Sequence, residues 1–333
     1  MPYESTITRR AMARLERRRD ARERRRYELE RTLYRQQPRL RELDAALRGL
    51  MAELAQLATG GKPVEADGPE IAAIRTRAEQ LQQERGALLR GLGYDENVLD
   101  ATPACSLCGD TGWHNGTMCI CLRELCAQEQ MKNLTALLNL TDEQDFSKLR
   151  LDVYSDQPWQ GQSRSPRENM TKVTAVCRGY AQQFPNYPLQ NLLFSGSPGL
   201  GKTFLSGCIA REVSQRGFSV VYDTTIHLFS TFEIRRFTRD AGESRQARDD
   251  TRRYLGCDLL ILDDLGSELP SPLDQSTLYE VLNGRLQSRK STIISTNLSK
   301  SDIAARYTPQ VASRICGLYQ ELTFYGNDLR QSH

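Results

Sequence analysis

A glycine-rich stretch between an apolar strand and an apolar helix constrains this chain of 333 residues more than any other feature. The strand reads NLLFS, the helix reads FLSGCIAREV, and the stretch between them reads GSPGLGKT. Glycines let backbone amides fold around a phosphate group, to which the helix N-terminus adds its dipole. Lysine in this pattern reaches the terminal phosphates of a nucleotide, and the hydroxyl that follows it ligates Mg²⁺. We therefore predict a nucleotide site formed by Gly196, Ser197, Pro198, Gly199, Leu200, Gly201, Lys202 and Thr203.

Short apolar strands alternate with amphipathic helices from about residue 171 to the end of the chain. The strands read NLLFS, SVVYDTT, DLLILDD, STIISTN and ELTFYG. This alternation predicts an α/β domain over 171–333, with a mainly parallel sheet flanked by helices and its ligand at the carboxyl ends of the strands.

Polar side chains end two of these strands. Asp263 and Asp264 follow DLLIL, and paired carboxylates at that place are costly without a cation. We predict that Asp263 is a Mg²⁺ ligand and that Asp264 orients an attacking water. Asn297 ends the next strand, where it would hold that water or the terminal phosphate, or serve as an ordinary turn residue.

Two arginines near the end of the chain are candidates for phosphate contact. Arg314 lies in an amphipathic helix and Arg330 follows the last strand. An arginine can stabilise charge on a transferring phosphoryl group, in cis or from a neighbouring subunit. The alternative for each is a surface ion pair.

A Cys-rich segment over 101–130 has the composition of a metal site. Its Cys-x2-Cys and Cys-x-Cys pairs are ten residues apart, and four thiolates satisfy tetrahedral Zn²⁺. The tight second pair leaves His114 or Cys126 as a replacement for Cys121. We predict structural zinc on Cys105, Cys108, Cys119 and Cys121. A helix and a polar linker, Ser155 to Asn169, are expected within 131–170.

The first hundred residues read as a helical interaction arm. From Leu29 to Leu57 apolar residues recur at steps of three and four, the seam of a coiled coil, and predict one long helix. Glycines and Pro69 then break it, and a second seam begins at Ile71. We expect an antiparallel helical hairpin or a helix pair that oligomerises.

Positive charge is concentrated at the start of this arm. Residues 1–50 hold fifteen Arg and eight acidic residues, and ten of the Arg lie between Arg9 and Arg26. Such density suits phosphates or an acidic partner, whereas a solvated helix face with helical-spaced ion pairs is the alternative. No segment has the length and apolarity of a membrane span or signal core, so we expect a cytoplasmic protein without membrane contact. The three His nearly exclude chemistry that needs several histidines.

The order of these parts, with the strings GLGKTFLSGCIA, DLLILDDLGSE, STNLS and SRI, resembles the DnaC/DnaI-type replicative helicase loaders among the AAA+ ATPases. The resemblance covers about residues 100–333. It implies an ATPase that self-associates through this domain and loads a hexameric DnaB-type helicase onto single-stranded DNA. ATP, Mg²⁺ and Zn²⁺ are the cofactors expected.

The resemblance also assigns roles by position. Lys202 and Thr203 match the Walker A pair, and Asp263 and Asp264 match the Walker B pair. Asn297 matches the first sensor. It further implies that Arg314 is an arginine finger acting in trans and that Arg330 is a second sensor-like residue.

One segment has two interpretations, and two other functions are consistent with the sequence. Phe229, Phe232, Arg235 and Arg236 either contact single-stranded DNA or provide the core face of a helix. An IstB-like ATPase that regulates a transposase shares every ATP-site residue, and a zinc-bearing adaptor would bind ATP without hydrolysis. Proteins of the SMC or Rad50 kind are disfavoured, because they place the coiled coil between the Walker motifs.

Overall fold

The computed structural model describes residues 3–59, 68–137, 145–237, 241–269 and 271–331. Most of the break predicted between Thr59 and Pro69 lies outside these ranges. Packing divides the chain into two compact units. One contains the residues up to Ala13 together with Asn115–His333, and the other is Arg14–His114.

Three helices account for most of the first hundred residues: α1 (Ser5–Gln36), α2 (Pro38–Thr59) and α3 (Pro69–Gly91). The prediction of one long helix through Leu57 is wrong, because α1 ends at Gln36 and α2 begins at Pro38. Proline lacks an N–H and disfavours helical geometry in the residue before it. Pro69 opens α3, as the sequence predicts.

Helices α2 and α3 form the antiparallel hairpin that the seam predicts. Leu40, early in α2, and Leu89, late in α3, are fully buried in one cluster. Ion pairs follow the same antiparallel register, with Arg39 Nε 2.8 Å from Glu84 Oε1 and Arg85 Nε 2.7 Å from Asp44 Oδ1.

Four elements follow α3 in chain order: β1 (Trp113–His114), β2 (Thr117–Met118), α4 (Ile120–Leu137) and a 3-10 helix over Leu151–Val153. Helix α5 (Pro166–Gln183) follows, and Ser165 caps it with a reciprocal hydrogen-bond pair to Glu168. The polar linker predicted to reach Asn169 therefore ends at Ser165, because the string SPRE is a capping box.

Five parallel strands form the main sheet, in the order β4-β5-β6-β3-β7. The strands are β3 (Leu192–Gly196), β4 (Val220–Thr224), β5 (Leu259–Leu265), β6 (Ser291–Thr296) and β7 (Gln320–Phe324). The helices between them are α6 (Lys202–Gln215), α7 (Thr225–Phe237), α8 (Ala241–Gly256), α9 (Pro272–Gln287), α10 (Lys300–Arg306) and α11 (Pro309–Leu318). The predicted parallel α/β fold is confirmed.

Apolar side chains cover both faces of this sheet. Leu192 and Phe194 belong to one buried cluster, which includes residues of α5 and α6. Leu193, which points to the opposite face, belongs to a second cluster with residues of α7, α9 and α11. Helices therefore flank the sheet on both sides, and its polar carboxyl ends remain for ligand contact.

No helix in the part of the chain that the structure describes is both long and apolar enough to cross a membrane.

Candidate nucleotide-binding site

The glycine-rich loop joins β3 to α6 in a conformation that few other residues allow. Gly201 has φ of 91° and precedes the first turn of α6. Gly196 has φ of 143°, and a Cβ there would lie 2.1 Å from the Phe324 carbonyl oxygen of β7. A side chain at Gly196 would displace the edge of the sheet, so the close approach requires glycine.

Lys202 lies at the centre of the loop. Its Nζ donates hydrogen bonds to the Gly196 carbonyl at 2.6 Å, the Ser197 carbonyl at 2.8 Å and Asn297 Oδ1 at 2.7 Å. Burial lowers the pKa of Lys202 to about 8, although Asp264 and Asp263 oppose that shift. Lys202, the predicted Walker A lysine, and Asn297, the predicted first sensor, are therefore in direct contact.

Asp263 accepts hydrogen bonds from hydroxyl groups on three elements. Its Oδ2 accepts from Thr203 at 3.0 Å and from Tyr222 at 2.6 Å, and its Oδ1 accepts from Ser295. A bulge in β5 between Leu262 and Leu265 interrupts the ladder with β6 here. The bulge turns the carboxylate toward α6 and the ends of the neighbouring strands.

Asp264 adopts a left-handed conformation, with φ of 57°. Its backbone N–H donates to Ser295 Oγ at 3.1 Å, so one serine hydroxyl contacts both aspartates. Burial, followed by the charge of Asp263, raises the pKa of Asp264. This arrangement suits a carboxylate that accepts a proton or a hydrogen bond from water.

A cleft of about 1010 Å³ opens over the loop. Asp264, Asn297 and Arg330 line it together with the loop residues. The charges of Lys202 and Arg330 interact, which places the predicted second sensor in the same cleft. One wall comes from the segment before α5, namely Lys148, Leu149, Arg150, Val153 and Tyr154.

Several of these contacts were not predicted from the sequence. Tyr154 donates from its hydroxyl to the Leu200 carbonyl at 3.1 Å, which fastens that wall to the loop. Tyr222 and Ser295, the partners of Asp263, were also unassigned. Ser295 lies two residues before Asn297, and the period of two that the predicted strand STIISTN would have places both on the same side of it. That signal was available, whereas nothing local marks Tyr154.

Arg314 is held away from this cleft. Its Nη2 donates to Asn283 Oδ1 at 2.8 Å and to the Tyr279 hydroxyl at 3.0 Å, and its guanidinium lies 4.3 Å from the Tyr279 ring centroid. Both partners belong to α9. Within the described residues, Arg314 does not line the cleft of its own chain.

The aromatic segment of α7 divides by side chain. Phe229 and Phe232 are 6% and 7% exposed and belong to the core cluster beneath the sheet. Arg235 and Arg236 are exposed. This burial favours the core-face interpretation of the two phenylalanines.

The cysteine sulfurs come together as the spacing predicts. Their Sγ atoms all lie within 4.8 Å of one another, and among the described residues neither His114 nor Cys126 joins the group. Tetrahedral zinc with Zn–S of about 2.3 Å needs sulfurs about 3.8 Å apart, so the four residues fit the ion. The group consists of Cys105, Cys108, Cys119 and Cys121.

The sequence comparisons identify relatives of the sheet domain. The family model for IstB-like ATP binding proteins matches residues 186–311. The replicative helicase loader DnaC of Buchnera aphidicola subsp. Acyrthosiphon pisum is 26% identical over 166 residues, which cover 49% of this chain and 65% of that protein. The chain is similar to DnaC-type helicase loaders. The predicted resemblance to DnaC-type loaders is confirmed.

Other matches likewise cover about half of this chain. DnaC of Escherichia coli K12 is 24% identical over 148 residues, covering 44% of this chain and 58% of DnaC. The chain thus spans about three fifths of the length of these curated relatives. A crystal structure of the DnaC helicase loader has TM-score 0.41 and 23% identity, covering 54% of this chain and 98% of that one. A crystal structure of DnaI has TM-score 0.42 and 19% identity, covering 59% and 93%.

Proposed function

We propose that this protein hydrolyses ATP to load a hexameric DnaB-type helicase onto single-stranded DNA in DNA replication. One observation carries the proposal: Lys202 and Asn297 line a single cleft, and Asp263 accepts a hydrogen bond from Thr203, which lines the same cleft. The chain that holds this group is 26% identical to a DnaC loader over 166 residues. A phosphate loop, a buried carboxylate and a polar strand-end residue are the parts that phosphoryl transfer to water needs.

Mg²⁺ fits the residues at the base of the cleft. The Thr203 hydroxyl and the Asp263 carboxylate, 3.0 Å apart, are the hard oxygen ligands that this ion prefers and would hold it between them. When bound, the ion neutralises charge on the phosphate oxygens. Lys202 binds the terminal phosphates, Asp264 orients and accepts a hydrogen bond from the attacking water, and Asn297 fixes the position of that water or of the phosphate.

Arginines complete the proposed site from two chains. Arg330 contacts phosphate within its own cleft, and Arg314 reaches the cleft of a neighbouring copy. The contacts of Arg314 with Asn283 and Tyr279 support this role, because they fix its direction before a neighbour arrives. Turnover then requires self-association.

The proposal also gives roles to the parts of the chain outside the ATP cleft. We propose that residues 1–100 are an interaction arm for the helicase and that 101–130 hold structural zinc on the four clustered cysteines. A helix and linker follow to about residue 170, and the ATPase domain proper is 171–333 together with the start of α5.

Co-purification with a DnaB-type helicase tests the function directly. Tagged full-length protein should retain the helicase with ATP and Mg²⁺, and the assembled complex should load it onto circular single-stranded DNA. Lys202→Ala should lose nucleotide-dependent loading. Absence of any helicase complex, with ATPase activity intact, would refute the loader assignment and retain the ATPase.

The IstB-like alternative rests on the name of the matching family model. A regulator of transposition would retain a transposase in the same experiment instead of the helicase. ATP binding without turnover, in the presence of helicase and DNA, would instead support the zinc-bearing adaptor.

A further inference from the structure

One face of α1 carries arginine between two apolar stretches, since Leu15 on the N-terminal side of the arginines is also buried. Leu33 is fully buried and Leu29 packs against the same cluster of the hairpin. Continuing toward the N-terminus at steps of four, three and four, the same face carries Arg25, Arg22 and Arg18. Arginine thus occupies the positions where the repeat would place leucine.

These arginines border a groove of about 390 Å³ in the unit Arg14–His114. One wall is formed by α1, with four arginines and one glutamate: Arg19, Arg22, Arg25, Arg26 and Glu23. The opposite side is lined by Val98, Asp100, Ala101, Thr102, Pro103, Gly109 and Asp110. Four guanidinium groups and one carboxylate leave a net positive charge on the α1 wall, which favours an anion in the groove.

The acidic groups of the groove are already engaged. Asp110 accepts hydrogen bonds from Arg22 and from the N–H groups of Ala104 and Cys105, at 3.0 and 2.9 Å. Asp100 accepts from Arg85 at 3.0 Å. Glu23, the third carboxylate of the groove, lies 4.0 Å from Arg19 Nε. The three carboxylates are thus engaged with Arg22, Arg85 and Arg19, and they do not cancel the charge of Arg25 and Arg26.

Two of those arginines contact only backbone oxygen. Arg25 Nε donates to the Ala21 carbonyl at 3.3 Å, and Arg26 Nη1 donates to the Leu99 carbonyl at 3.4 Å. Across the described part of the chain, neither contacts a carboxylate. Each guanidinium has five N–H donors, so most of their hydrogen-bonding capacity is available to a ligand.

We propose that this groove and the Arg18–Arg26 face of α1 bind the phosphate backbone of a nucleic acid. A protein partner needs an apolar centre for its interface, but the groove's Leu29 and Val98 are packed into the hairpin cluster. Phosphodiesters need no such centre, because guanidinium pairs with each phosphate and releases condensed counterions. The groove and the ATP cleft share no lining residue, and phosphate binding by the arginines needs no bound ATP.

Fluorescence anisotropy with a labelled 25-nucleotide oligothymidylate tests this in the full-length protein without ATP. The variant Arg18→Gln/Arg25→Gln/Arg26→Gln should bind about tenfold more weakly at 100 mM NaCl. It should also lower the slope of log affinity against log salt by about 2, since each lost phosphate contact removes about 0.7. Arg22 is left unchanged because it pairs with Asp110.

A matched variant removes the same charge elsewhere on the arm. Arg31, Arg35 and Arg48 are exposed and lie outside both the groove and the Arg18–Arg26 face, so their triple Gln variant should bind the oligonucleotide within twofold of wild type. Equal weakening by both variants, or no weakening by the first, overturns the proposal. Displacement of the oligonucleotide by polyglutamate at equal charge would also overturn it, in favour of an acidic protein. Because the assay contains no ATP, failure of the loader assignment leaves its result unaffected.

Discussion

Lys202 and Asp264 contribute to different stages of the proposed reaction. Lys202 holds the centre of the loop, whereas Asp264 lies beyond it at the end of β5. Lys202→Ala should abolish detectable nucleotide binding in titration with a fluorescent ATP analogue. Asp264→Asn should bind within about threefold of wild type yet hydrolyse ATP at least tenfold more slowly, a barrier increase of about 1.4 kcal/mol or more. Normal turnover in both variants would refute the site.

Ser295 is a positioning residue for both aspartates. Its hydroxyl donates to Asp263 and accepts from the Asp264 N–H, so Ser295→Ala frees both residues of the bulge. We expect turnover to fall about tenfold and the Mg²⁺ concentration for half-maximal activity to rise, with little change in ATP affinity.

Ser291→Ala is the matched control, since Ser291 is buried at the opposite end of β6. It should leave the Mg²⁺ dependence unchanged. If the two variants give the same Mg²⁺ titration curve, Ser295 has a structural role alone.

The residues of the cleft were predictable to the extent that their chemistry is local. The loop and the two aspartates belong to contiguous strings, so Lys202, Thr203 and Asp263 could be assigned from spacing alone. Tyr222 and Tyr154 contact this group only after the chain has folded, from a neighbouring strand and from the segment before α5. Their roles depend on strand order, which hydrophobic periodicity does not specify.

Among the elements, the strands were predicted better than the helix ends. The central strands β3, β5 and β6 are buried along almost their whole length and carry apolar runs, whereas the edge strand β7 is partly exposed and reads less clearly. The arm was misread at Pro38, where the leucine repeat continues although the helix does not. Side-chain periodicity reports which face is buried, whereas proline acts on the backbone.

Zinc should determine the order of the Cys-rich segment. Purified, reduced protein should contain about one Zn²⁺ per chain by elemental analysis, and strong chelation should increase amide exchange over residues 101–127, because metal binding and local folding are coupled. Cys105→Ser should lose the metal. Cys316→Ser, which alters a cysteine outside the group, should retain it. Zinc-free reduced wild-type protein would refute the site.

At the scale of the assembly, Arg314 and Lys202 should complement each other from different subunits. Arg314→Ala should bind ATP normally but hydrolyse it slowly under conditions where wild-type subunits assemble. A mixture of Arg314→Ala and Lys202→Ala subunits should regain turnover at interfaces that join an intact loop to an intact arginine. A surface ion pair would instead contribute about 0–1 kcal/mol to stability and nothing to turnover.

Dilution distinguishes the two roles further. Recovered activity in the mixture should fall as the subunits dissociate, while each variant alone gives little turnover at every concentration. Normal ATPase activity of assembled Arg314→Ala, or an inactive mixture of assembled subunits, would exclude the trans-acting role.

Strand β6 and the residue after it contact both the carboxylate and the ammonium group of the site. Ser295 contacts Asp263, and Asn297, two residues further along, contacts Lys202. Asn297 comes directly after Thr296, the last residue of β6, so the course of this strand positions the partners of both the carboxylate and the ammonium group. Replacement of both side chains should therefore show a large non-additive energy in a double-mutant cycle. Strand β6 therefore determines the positions of both groups. A large-to-small substitution at Ile293 or Ile294 would leave a cavity beside the strand and should displace both groups together.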